Sequence, residues 1–274
     1  MTLQRSLLFV PGSRPERFDK ALAAGADAVI VDLEDAVAPA DKLSARASLR
    51  TWLRPGHAVV VRINAVDTPW FADDITLCAL AGVAAVMLPK AERSDTIATL
   101  MAAGARSVLP LIESAAGFAA LTAIAAAPGV QRLVFGSIDF QLDLGMRDAH
   151  EDELLVFRSQ IVLVSRLAGL ASPIDGVSTA IDDAQALHTD MQRARRLGFG
   201  GKLCIHPKQV AGVHLGFAPS ADELAWAQRV LAASAAAAGA ATAVDGKMVD
   251  KPVLLRAERL VAEAALVSRP GTRP

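Results

Sequence analysis

SVLPLIES, residues 107–114, and QRLVFGSID, residues 131–139, flank an Ala-rich run that closes on Ala127-Pro128-Gly129. The three pieces read as apolar strand, helix and apolar strand, with a carboxylate where each strand ends: Glu113 and Asp139. Two parallel strands joined by a helix put their C-terminal ends on the same side of a sheet. The two acids then face one pocket although they are distant in sequence. A pair of hard oxygen ligands on one rim suits a magnesium-type ion, with positions left for water and substrate.

Working outward, the same alternation recurs along the chain. Strands are expected at residues 6–12, 28–35, 59–65, 83–90, 107–114, 131–139, 172–179 and 201–207, and helical patterns fall between them. The continuous Val/Ile run of AVIVDLED marks a strand buried on both faces. Pro15 in a first turn and Gly25 as a stop bracket the first helix, and Gly198 stops the helix before the eighth strand. Eight strand–helix pairs at this spacing match a TIM (β/α)₈ barrel, which needs about 250 residues. A doubly wound open sheet uses the same units, but no Gly-x-Gly-x-x-Gly follows any strand. We therefore expect an α/β fold with a barrel over residues 1–216 and a helical extension over 217–274. Ser220 to Glu223 has the form of a capping box, residues 239–246 read as a flexible joint, 252–266 as a final helix and the tail from Ser268 as frayed.

Bulk properties exclude several classes. The 274 residues carry a net charge of −1 with 21% charged side chains, so no global field favours nucleic acid or an anionic membrane. Cys78 and Cys204 have no metal-ligand spacing and read as reduced core thiols of a cytoplasmic protein. MTLQRSLLFVPG is too short in its apolar run for a signal peptide, and no apolar stretch free of charge reaches membrane-spanning length.

In a barrel of this kind the C-terminal ends of the strands carry the active site. That rule selects Arg14, Glu34 and Asp35, Arg62, Lys90, Glu113, Asp139, Asp175 and His206. Their concentration on one rim is not what solvation of helix surfaces gives. Several have a second reading. Glu34 and Asp35 suit hydrogen bonds to metal waters or to Arg62 as well as substrate contact. Arg14 and Lys90 fit either rim ion pairs or the phosphates of a thioester carrier. His206 before Pro207 suits a strand end, and Asp175 a structural role.

RSLLFVPGSRPERFDKA, VIVDLEDAVAPADK, VVRIN, VMLPKAE, LPLIES, FGSIDFQLDLG, IHPKQV and MVDKPVLLRAERL, in that order from about Arg5 to Leu260, resemble the citrate lyase beta-subunit-like branch of the HpcH/HpaI aldolase superfamily. The resemblance implies a TIM barrel that uses Mg²⁺ to cleave carbon–carbon bonds in 3-hydroxyacyl thioesters such as citryl, malyl and citramalyl-CoA. By it, Glu113 and Asp139 correspond to the metal ligands and Arg62 to the arginine that contacts the keto-acid part. Asp250, in MVDKP, matches an aspartate that moves a proton at the acyl carbon from an adjoining subunit, which implies a homo-oligomer, a trimer or hexamer. Gly136 and Ser137 place backbone N–H groups near Asp139, a cradle for a substrate carboxylate. Two alternatives stand beside the thioester lyase: a class II pyruvate-type aldolase acting on free hydroxy-keto acids, and a beta subunit that depends on the partners of a citrate lyase complex.

Overall fold

The computed structural model describes residues 4–237 and 242–267. The chain divides into two compact units, one through Gly216 and one beginning at Phe217.

The first unit is a closed barrel of eight parallel strands in sequence order. They are β1 (Ser6–Pro11), β2 (Ala28–Asp32), β3 (Val59–Arg62), β4 (Val83–Leu88), β5 (Val108–Ile112), β6 (Val134–Phe135), β7 (Ile174–Asp175) and β8 (Gly201–Cys204). Each pairs with the next, and β1 closes on β8 through Leu7 opposite Leu203. An open sheet would leave both of those strands with unpaired edges; closure removes them.

Side chains alternate sides along a strand, and here one parity fills the lumen. Leu7, Ile30, Val60, Met87, Leu109, Leu111, Val134, Ile174 and Leu203 form a single buried cluster. Extending that parity by one step from the core layer gives Phe9 on β1, Asp32 on β2, Arg62 on β3, Glu113 past β5, Gly136 past β6 and Ile205 past β8, and all of these line the cavity at the mouth. The opposite parity packs against the helices. Lys202 and Asp175 take it, and with Arg158 they make a buried ionic cluster: Arg158 Nε donates to Asp175 Oδ1 at 2.9 Å and Lys202 Nζ lies 3.6 Å from Oδ2. Asp175 is held well below the usual carboxylate range: burial pushes it up, but Lys202 and Arg158 outweigh that. Its structural reading fits this geometry.

Two expected strands are much shorter than their sequence patterns. The segment 131–139 contributes only Val134–Phe135, because the chain turns at Gly136 into a helix over Ser137–Asp143. Asp139 therefore sits in the first turn of a helix, not at a strand end. Likewise 172–179 contributes only Ile174–Asp175. His206 accepts from Lys208 N through Nδ1 at 3.1 Å, joining β8 to the helix Lys208–Phe217. Cys78 and Cys204 are free and buried, and burial pushes their thiols up to about 11 and about 12. No helix among the described residues is long and apolar enough to cross a membrane.

The second unit pairs the helices Ala221–Ala236 and Lys251–Val267 over a small core of Ala227, Val230, Ala257 and Leu260. The expected capping box is present, with Ser220 Oγ accepting from Glu223 N at 3.1 Å and Glu223 accepting from Ser220 N at 2.9 Å. Of the expected joint, residues 239–241 lie outside the described residues, as does the tail from Ser268. The remainder is an antiparallel hairpin, β9 (Thr242–Val244) and β10 (Lys247–Val249). Asp245 and Gly246 form its turn with φ of 52° and 73°. Positive φ at both central residues is the two-residue hairpin geometry that Asp-Gly favours.

Candidate functional site

The lumen opens into a cavity of about 420 Å³ bounded by Asp32, Asp35, Arg62, Glu113, Ser137 and Asp139 among polar groups and by Phe9, Leu111, Phe135, Val177, Leu203 and Ile205 among apolar ones. The rim therefore brings Arg62, Glu113, Asp139, Asp35, Gly136 and Ser137 together. Glu34 lies immediately behind it, ion-paired to Arg62. Arg14 and the side chain of Lys90 are exposed and do not line the cavity.

Arg62 is the most constrained of these groups. Asp32, directly opposite it across the β2–β3 ladder, grips the guanidinium in a two-pronged pair: Nε to Oδ1 and Nη2 to Oδ2, both 2.7 Å. Such fork-to-fork pairing fixes the plane of the guanidinium as well as its position. Nη1 lies 2.9 Å from Glu34 Oε2 and 3.4 Å from Asp35 Oδ2. The Glu34 contact is an ion pair out of line for a hydrogen bond, since its buried Oε2 has no hydrogen-bond partner. The ring of Phe9 stacks 4.9 Å from the guanidinium carbon. Burial opposes the charge on Arg62, but the neighbouring carboxylates, Asp32 above all, hold its pKa above the ordinary value. For Glu34, burial dominates and neighbouring Asp35 and Asp32 add to it, so despite Arg62 its carboxyl is pushed up to about 7.

Asp32 was not among the residues that strand ends selected, because Glu34 and Asp35 follow it and look more terminal. The signal that finds it is lumen parity: Ala28, Ile30 and Asp32 share one face. Lys42 has no comparable signal. Its buried ammonium donates to the carbonyls of Leu33 and Glu34 at 2.8 and 2.7 Å, bracing the loop that carries the acids.

Glu113 is 4% exposed, with Oε1 accepting from the backbone N–H of Lys90 at 2.8 Å. Lys90 has φ of +43°, a left-handed conformation that a non-glycine residue adopts at a cost. The contribution of Lys90 is thus its strained amide, aimed at the carboxylate. Across the cavity, a Cβ on Gly136 would stand 2.5 Å from Glu113 Cβ and 2.7 Å from Oε2, so only glycine fits there. Burial first, then the charge of Glu34 and, more weakly, of Asp139, push Glu113 up to about 8, against the Lys90 amide and Arg62.

A buried carboxylate crowded by other acids, with its second oxygen facing the cavity, is short of positive charge. A hard divalent cation between Glu113 and Asp139 fits that deficit. No cluster of three or more His, Cys, Asp or Glu positioned for a metal occurs among the described residues, and Glu113 and Asp139 offer a pair of carboxylates. That suits Mg²⁺, which keeps several waters and takes further oxygens from substrate. Asp250 lies in the second unit, where its carboxylate caps the last helix by accepting from Val253 N at 3.1 Å.

Fold and site define a barrel enzyme whose acidic mouth, with one clamped arginine, is equipped for metal-assisted chemistry on oxyanionic substrates. The sequence pattern of the HpcH/HpaI aldolase/citrate lyase family matches residues 5–207, and the chain belongs to that family. A citrate lyase subunit beta-like protein of Mycobacterium tuberculosis (strain ATCC 25618 / H37Rv) is 40% identical over 263 residues, covering 94% of both chains. A (3S)-malyl-CoA thioesterase of Cereibacter sphaeroides (strain ATCC 17029 / ATH 2.4.9) is 35% identical over 96% of this chain and 95% of its own. Among solved structures, that of the protein CitE from Mycobacterium tuberculosis in complex with magnesium, acetoacetate and coenzyme A superposes with a TM-score of 0.85. It is 42% identical, over 96% of this chain and 98% of that one.

Proposed function

We propose that this protein is a Mg²⁺-dependent carbon–carbon lyase that cleaves a 3-hydroxyacyl-CoA thioester by retro-Claisen chemistry, releasing an acyl-CoA and an α-keto acid. The observation that carries this reading is the convergence of Glu113, Asp139 and the Asp32-clamped Arg62 on one cavity. Glu113 and Asp139 would hold the ion, which when bound supplies Lewis acidity to the keto acid's oxygens. The Lys90 amide and the bare Gly136 fix the Glu113 carboxylate for that purpose.

Arg62 presents its remaining N–H groups to the oxygens of the keto-acid part of the substrate. It does so without reorganising, because Asp32 and Phe9 hold it in place before substrate arrives. The backbone at Gly136 and Ser137 faces the substrate carboxylate. Asp250 moves the proton at the acyl carbon, supplied by an adjoining copy in a homo-oligomer, trimeric or hexameric, in the cytoplasm. The exposed Arg14 and Lys90 are our candidates for contacts to the phosphates of the CoA carrier.

A second reading follows from the relative that acts as a malyl-CoA thioesterase: the same site could hydrolyse the thioester. Product analysis separates the two. Purified protein is offered malyl-CoA, citramalyl-CoA and citryl-CoA with Mg²⁺ and with excess chelator. The lyase releases glyoxylate, pyruvate or oxaloacetate; a thioesterase releases the intact hydroxy acid. Chelator-insensitive turnover, or full turnover by Glu113→Ala, would sink the proposal. No turnover of any thioester would favour the free-acid aldolase or the partner-dependent subunit.

A further inference from the structure

Glu113 and Asp139 stand on separate elements, so their separation depends on how those elements are tied; this step rests on the reading of both as magnesium ligands. Glu113 follows β5 directly, whereas Asp139 lies in the first turn of the helix Ser137–Asp143. The β5–β6 ladder ends with Ile112 opposite Phe135, and one further backbone bond follows, Gly136 N to Ile112 O at 2.9 Å. Beyond it, among the described residues, no backbone hydrogen bond joins the segment after Glu113 to the helix that carries Asp139. Side chains have to set that gap.

Two contacts cross it. Buried Phe140 packs edge-on against Phe118 of the helix Ala115–Ala119, with ring centroids 5.8 Å apart, which keeps the two helices together. The directional contact is made by Asp143, whose Oδ2 accepts from Ala115 N at 2.6 Å. Asp143 follows Asp139 by four residues, one helical turn on the same face, and Ala115 follows Glu113 by two. The bond therefore closes a short circuit with a metal-ligand candidate near each end. Ala115 N is a first-turn amide with no acceptor inside its own helix. The helix's own cap does not serve it, since Ser114 Oγ is given to Gly117 N at 3.1 Å. A carboxylate on a backbone N–H makes one of the stronger and more directional hydrogen bonds. Asp143 itself is exposed and lies outside the cavity lining.

We infer that Asp143 is a positioning residue that sets the separation of Glu113 and Asp139, and with it the affinity for the divalent cation. It acts through the acceptor oxygen it gives Ala115 N and not through its charge.

The test is Mg²⁺ binding by calorimetry on full-length metal-free protein with no thioester present, beside the melting temperature of the metal-free form. Asp143→Ala should weaken Mg²⁺ binding about fivefold, as loss of one hydrogen bond does. Asp143→Asn removes the charge and keeps an acceptor oxygen, so its affinity should stay within about twofold of the unsubstituted protein. Ala115→Pro deletes the same bond from the donor side. Proline suits the first position of a helix, and Ser114 before it is already extended, with φ of −139° and ψ of 158°. The melting temperature should therefore hold or rise while Mg²⁺ affinity falls about fivefold, a split that a merely structural role would not produce. The two substitutions combined should lose no more than either alone. Circular dichroism verifies each fold, and the two Asp143 variants decide the case should Ala115→Pro not fold. Unchanged affinity in folded Asp143→Ala or Ala115→Pro overturns the inference, as do additive losses in the double variant. Equal losses in Asp143→Asn and Asp143→Ala overturn it too, because the charge would then be what acts. A protein that binds no Mg²⁺ overturns the inference together with the metal site. Binding that weakens as expected in a protein that cleaves no thioester refutes the lyase reading and leaves the role of Asp143 standing.

Discussion

Removing the charge of Asp32 is the sharpest test of how this site is held together. Asp32 is 1% exposed and accepts four hydrogen bonds: two from Arg62 at 2.7 Å, one from Glu34 N at 2.9 Å and one from Ala36 N at 3.0 Å. Asp32→Asn preserves volume but replaces one acceptor oxygen with a donor. That amide then faces either the guanidinium or a backbone N–H, both donors, and one prong of the clamp is lost. Breaking a buried ion pair from one side costs about 3–5 kcal/mol, because the remaining charge stays buried. Glu34 and Asp35 still neighbour Arg62, so the lower half of that range, about 3 kcal/mol, is expected. Against a total stability of about 5–15 kcal/mol this is readily measured. Urea unfolding followed by circular dichroism should show a lower midpoint with an unchanged slope. Combining Asp32→Asn with Arg62→Met removes the orphaned charge, so the double variant should lose less than the sum of the two single losses. A loss below about 1 kcal/mol for Asp32→Asn, in the range of an exposed pair, would refute the claim that the clamp positions Arg62.

Other consequences can be checked separately. In Gly136→Ala the backbone angle is ordinary, with φ of −91°, but the new Cβ would stand 2.5 Å from Glu113 Cβ, so Glu113 and its strand end must shift; Mg²⁺ affinity of the folded variant, measured by calorimetry, should fall about tenfold or more, as for loss of a ligand-orienting contact. In metal-free protein the raised Glu113 carboxyl means the folded state binds a proton that the unfolded state releases, between 4.5 and about 8. Stability should therefore fall as pH rises through that window, and added Mg²⁺ should restore it at the alkaline end. Thermal unfolding at pH 5.5 and 8.5, with chelator and then with Mg²⁺, reads this directly, and a metal-free protein that gained stability towards pH 8 would contradict it. Asn caps helices as well as Asp, so Asp250→Asn should leave the melting temperature unchanged. Turnover of the cleaved thioester should drop at least about a hundredfold if Asp250 moves the proton, and unimpaired turnover would remove it from the mechanism.

Much of this was legible in the chain itself. The repeated alternation of buried strand and helix fixes the eight-stranded parallel barrel, because parallel strands need covered faces and crossover helices and so leave a periodic apolar signature. The rule that strand C-termini make the mouth then picks out Arg62, Glu113 and Asp139, since it depends only on strand order. The sequence does not reveal where each strand stops. QRLVFGSID looks extended throughout, yet Gly136 turns it into a helix after two paired residues, and the placement of Asp139 follows from that turn.

Tertiary structure alone decides which of three nearby acids holds Arg62. Asp32, Glu34 and Asp35 lie within four positions of one another, and only the register of β2 against β3 sets Asp32 opposite the arginine. It also aims the backbone N–H of Lys90 at the Glu113 carboxylate, a contact that the residue type does not announce. A residue code carries charge and propensity, whereas the direction of an N–H or of a guanidinium edge is set by neighbours brought together from distant parts of the chain.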